Sequence, residues 1–156
     1  MTSPPESDSH YAYFRAVGAS DPSEITQLLG IEPTESWNVG DAFERRGHTF
    51  KRRSSMWQLE SGCDDKRLLE DHIEALLQRL ERYRNELLDI GTRYRTQIVC
   101  VSYVYQSFSF ELDFDSQRRA TELGVGFWFD AYSFGDYHEE IVELREQLGI
   151  RREGDA

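Results

Sequence analysis

Scarcity sets the first limits on this chain. Only two cysteines, Cys63 and Cys100, occur among its 156 residues, far apart in sequence. That spacing suggests neither a metal knuckle nor a redox pair, and so small a number fits a reducing cytoplasm better than secretion. No stretch approaches the 18 or so apolar residues of a membrane-spanning helix. The start, MTSPPESDSH, is polar and acidic where a signal peptide is basic and then apolar. Positive charge is also short, with 18 Lys and Arg against 29 Asp and Glu, a formal net charge of -11. A surface of that sign repels phosphate backbones and anionic lipid, so neither nucleic acid nor a membrane is expected as a partner.

Catalytic signatures are missing as well. G-x-S-x-G, G-x-x-x-x-G-K-[ST] and G-x-G-x-x-G do not occur, and His138-Glu139 lacks the second histidine of H-E-x-x-H. His10, His48, His72 and His138 lie in separate elements without ligand spacing, and His72 reads simply as a polar position on a helix. The chain therefore reads as non-enzymatic, with no cofactor and no metal. The enzymatic alternative is a pocket in which Glu111, Asp113 and His138 converge.

What the sequence does contain is one long amphipathic stretch over residues 65–90. Leu69, Ile73, Leu76, Leu80, Tyr83 and Leu87 recur at steps of four and three, and Leu68, Leu77 and Leu88 widen the stripe. Such a helix is about 39 Å long and can floor a whole small domain. Gly62, Asp64 and Asp65 mark its start, and Gly91 is expected as its left-handed cap. The heptad spacing extends over too few turns for a coiled coil, so the helix should pack on its own sheet and leave a monomer.

Strands are expected over residues 11–17, 55–61, 96–105, 108–114 and 125–132. The run at 96–105, with Ile98, Val99, Val101 and Val104, is apolar on both faces and should be central. Phe108, Phe110, Leu112 and Phe114 alternate with polar residues, which predicts a half-buried strand hairpinned to it. Short helices should follow the caps Asp21 and Asp115 and stop at Gly30 and Gly124, and a last helix should span residues 136–148. Residues 31–50 show no period and read as a long irregular connection. Length and pattern together predict a single α+β domain over 11–150, between a disordered tail at 1–10 and a polar tail at 151–156. Its architecture should be a mostly antiparallel sheet of four or five strands with helices on one face. The repeated cap-and-stop spacing admits two strand-helix units of a ferredoxin-like split β-α-β fold.

The stretches YAYFRAVG, IEPTESWNVGD and MWQLESG, followed by the Leu-rich helix and VGFWFDAY, resemble the bacterial domain of unknown function family 4279. The resemblance implies a small cytoplasmic bacterial protein without an assigned activity.

Three sets of residues stand out as candidate sites. Glu111, Asp113 and Asp115 would share one strand face and could hold a hard cation, or be simply its wet side. Arg45, Arg46, His48, Lys51, Arg52 and Arg53 cluster beside Trp37 and Phe43, as an anion or protein hot spot or as a solvated hairpin. Trp57, Tyr103, Tyr105, Trp128 and Tyr132 lie on expected strands, where they are core or the aromatic floor of a binding face. The leading expectation is an acidic protein-binding domain that masks a basic partner in the manner of an inhibitor or immunity protein. The rival is an anionic-ligand or regulatory domain in which the 33–53 loop brings Trp37 beside Trp57, with Arg45, Arg46 or Arg53 fixing the anion.

Overall fold

The computed structural model describes residues 7–105 and 107–133 together with positions 144, 147 and 148. The expected C-terminal helix and both expected tails lie mostly outside the described residues. In chain order the elements are β1 (Ser9–Gly18), α1 (Ser23–Leu29), β2 (Glu35–Trp37), β3 (Ala42–Arg45), β4 (His48–Lys51) and β5 (Ser55–Glu60). Then come α2 (Leu69–Leu80), a 3-10 turn (Glu81–Tyr83), α3 (Arg84–Ile90), β6 (Tyr94–Val104), α4 (Phe114–Glu122) and β7 (Gly126–Ser133). Five strands form one sheet in the order β2-β5-β1-β6-β7, and β3 and β4 form a separate two-stranded ribbon. Every pairing is antiparallel except β6 with β7.

The α+β class and the mostly antiparallel sheet with its helices on one face agree with the sequence. In β1, Ala12, Phe14 and Ala16 enter the core, where they meet Trp57 and Leu59 of β5, Ile98 and Cys100 of β6, and the apolar faces of the helices. Ile25 and Leu29 of α1 and Ala120 of α4 join the same core, so the helices share one side of the sheet. The long helix begins at Leu69, four residues later than expected, and continues through the 3-10 turn to Ile90. Leu76, Leu77, Leu80 and Leu87 are fully buried, but Leu68 and Leu88 are exposed, so the buried stripe is narrower than expected. Gly30 and Gly124 take the left-handed conformation at φ 64° and 71°. Gly91 does not; at φ -59° it ends the helix by donating its N–H to the Leu87 carbonyl.

Four further expectations are corrected. Residues 107–113 form no strand. Because β7 runs parallel to β6, the chain must travel back along the sheet before re-entering it, which a tight hairpin cannot do. Phe110 and Leu112 still pack on the core, while Phe114 opens α4 at 81% exposure. The cap of α4 is Asp113, which accepts from the Ser116 N–H at 2.6 Å, not Asp115. The split β-α-β topology is not formed, since β6 and β7 are adjacent and β1 pairs antiparallel with both β5 and β6. Finally, the stretch expected to be irregular contains β2 and the β3–β4 hairpin, turned at Arg46 and Gly47 with φ 51° and 76°. A ribbon exposed on nearly every residue carries no apolar period to betray it.

Candidate functional site

Period-two alternation sends the remaining side chains of the sheet to the face opposite the helices. Register then fixes their neighbours. Tyr13, Val99 and Trp128 stand side by side across β1, β6 and β7, followed by Tyr11, Val101 and Asp130, and then Ser9, Tyr103 and Tyr132. Tyr13, Tyr11, Tyr103 and Tyr132 make one continuous stack, with successive ring centroids 6.3, 6.3 and 5.1 Å apart and interplanar angles of 17°, 28° and 18°. Val99 and Val101, in register between these residues, are buried with 1% and 4% exposure. Trp128 and Tyr132 are 44% and 49% exposed, so the platform is open to contact.

Polar groups punctuate this floor. The Arg15 guanidinium lies 5.4 Å from the Trp128 ring centroid and donates twice to Gln97 Oε1, at 3.1 and 2.8 Å. Trp128 Nε1 donates to Asp130 Oδ1 at 3.0 Å. Burial, reinforced by hydrogen bonding with Tyr103, pushes the Tyr11 phenol well above its ordinary value, and burial raises Tyr13 too. Both phenols are therefore neutral at physiological pH.

The sequence-derived candidates separate on this geometry. Tyr103 and Trp128 belong to the platform. Trp37 lies beyond β5 at its far edge, opposite Met56, with its indole N–H donating to the Ser54 carbonyl at 3.0 Å. Trp57 does not belong to it. That ring is fully buried, edge-on to Phe14, and donates to Thr26 Oγ1 at 2.9 Å. Trp37 and Trp57 therefore lie on opposite sides of the sheet and do not form the expected pair. Arg45 and Arg46 are exposed at the hairpin turn, and Arg53 is exposed at its base. Arg52 lies 3.7 Å from the Trp37 centroid and 4.1 Å from that of Phe43, and His48 meets the Phe50 ring edge-on. Sequence reasoning missed Tyr11, Tyr13, Arg15 and Asp130. The alternation Y-A-Y-F-R-A in β1 held the signal, but two small alanines on the dry side hid which face was the core.

The acidic triplet disperses. Asp113 caps α4, Asp115 pairs with Arg118 at 2.6 Å, and Glu111 is exposed. No group of three or more His, Cys, Asp or Glu side chains able to hold a metal ion occurs among the described residues. Arg119 joins α4 to the long helix through Glu74 at 2.6 Å and through Glu81.

His72 is not a surface position on the long helix. It is fully buried, with Nδ1 at 2.7 Å from Ser61 Oγ and Nε2 without a partner among the described residues. A serine beside a histidine suggests a nucleophile and its base, yet no third group orients the ring through Nε2, so the pair reads as a structural link. Burial foremost lowers the His72 pKa below its ordinary 6.5. Above pH 6.5 the ring is neutral folded or unfolded and costs nothing; below it the unfolded chain takes up the proton first, and stability falls. Urea unfolding between pH 8 and 5 should show this loss setting in near 6.5 in the native protein. The slope should flatten in His72→Leu, whatever that substitution costs at neutral pH; an unchanged slope would contradict the buried neutral ring.

A family model described as Domain of unknown function (DUF4279) matches residues 8–134. No curated protein and no solved structure matches the chain. No helix among the described residues is long and apolar enough to cross a membrane.

Proposed function

The chain belongs to the DUF4279 family, whose function is unknown, and we propose that it is a non-enzymatic binding domain that docks a basic protein on the aromatic sheet face. The observation that carries this reading is the open stack of four tyrosines with Trp128 beside it. Aromatic rings supply large contact area at little entropic cost and dominate protein hot spots. Charge supports the sign of the partner. The ion pairs among the described residues run along and between the helices and the loops flanking them. Glu35, Glu60 and Asp130 on the sheet face have no Lys or Arg within 4.0 Å among those residues. Acid left unpaired around an apolar centre favours a basic complement and speeds its association. An immunity- or inhibitor-type protein of the bacterial cytoplasm has this character, small and strongly acidic.

Affinity capture from the source cells, run side by side with native protein and Tyr103→Ala/Trp128→Ala, tests the proposal. The native protein should retain a basic protein whose binding weakens from low to moderate salt, and the double variant should not retain it. Retention unaffected by salt, or undiminished in the variant, would overturn the reading.

A further inference from the structure

We infer that the cleft at the β1–β5 end of the sheet face receives a cationic side chain, a lysine or an arginine, of the basic partner. The inference rests on the binding reading above and specifies one contact within it. The cleft has a volume of about 680 Å³, and its chemistry comes from Tyr11, Tyr13, Glu60, Ser61, Cys63 and Asp65. That is room for a long side chain together with its aliphatic stem.

The walls are held by backbone bonds. After β5 the chain passes through Gly62, whose φ of 79° is left-handed, and runs on beside β1 toward its start. Ser61 donates its N–H to the Ala12 carbonyl at 3.1 Å, and the His10 N–H donates to the Asp65 carbonyl at 2.8 Å. The loop carrying Cys63 and Asp65 is thus fixed opposite the two stacked tyrosines, and little ordering is left to be done on binding.

Among the described residues, neither carboxylate of the cleft pairs with a cation. Among the described residues, the Asp65 carboxylate accepts only the Ser9 hydroxyl, at 3.2 Å to Oδ2. Arg79 donates to the Glu60 backbone carbonyl at 3.2 Å, not to its carboxylate, and Lys66 reaches Ser7 instead. Among the described residues, no basic side chain lines the cleft. Two aromatic side chains and two acids line one space, the composition that suits an organic cation. An anion would be repelled there.

Cys63 supplies the reporter. It is partly exposed in the cleft, whereas Cys100 is buried with its thiol pushed up to about 12, so alkylation by iodoacetamide reads Cys63. Nα-acetyl-arginine amide and Nα-acetyl-lysine amide at millimolar concentration should slow that alkylation, and Nα-acetyl-norleucine amide should not. In Glu60→Gln/Asp65→Asn, the protective concentration should rise by up to about fivefold for each carboxylate removed. Both sites are exposed, so circular dichroism should show the variant folded. Absent protection, equal protection by norleucine amide, or full protection in the variant would overturn the inference. Equal protection by choline would also overturn it, by pointing to a free organic cation. A protein that loses its partner on Tyr103→Ala/Trp128→Ala, yet gains no protection of Cys63, keeps the sheet-face reading and loses only the cleft.

Discussion

Leu76→Ala and Leu80→Ala are each expected to cost about 2–5 kcal/mol of folding stability. Both side chains are fully buried at the contact between the long helix and the sheet. Truncation removes their transfer free energy and leaves a cavity that a helix tied to α4 by Arg119 cannot readily collapse. Against a domain stability of about 5–15 kcal/mol, such a loss moves the urea midpoint far. Since these residues pack within one chain, the loss should not depend on protein concentration. Sedimentation together with circular dichroism checks this. A variant that stayed folded and lost only self-association would show that the stripe serves a dimer.

The second large effect separates two tryptophans. Trp57→Ala should destabilise by about 3–5 kcal/mol, because a fully buried ring and its bond to Thr26 disappear together. Trp128→Ala removes a ring that is 44% exposed and should change stability by less than about 1 kcal/mol. Its effect should fall on partner binding instead, at about 2 kcal/mol or more, roughly a thirtyfold loss of affinity. Thermal unfolding and binding measured on the same two variants should give opposite rankings. Equal loss of stability in both would mean that the β7 ring is structural, and the sheet face would lose its main anchor.

The contrast between these rings marks the limit of what sequence patterns convey. Trp57 sits in the clean alternation S-M-W-Q-L-E, so its pairing with Leu59 on one face was legible, but not whether helices or solvent met that face. Trp128 sits in G-F-W-F, where three successive aromatics erase the alternation. The side each ring takes follows from where α1, the long helix and α4 land, and that is a property of the whole chain. The same holds for residues 107–113, whose alternation is real as burial of Phe110 and Leu112 but not as strand pairing.

By itself the sequence determined the elements whose causes are local. The long helix follows from leucines at steps of three and four, the centrality of β6 from apolar residues on both faces, and the helix stops at Gly30 and Gly124 from their freedom at positive φ. Tertiary structure alone decided the tyrosine stack, the burial of His72 against Ser61, and the cleft between Tyr11, Tyr13 and the segment after β5. Each joins residues brought together by strand register or by a reversal of the chain. Periodicity reports how a segment meets its own nearest turn or pleat, and it is silent about which distant segment lies across from it.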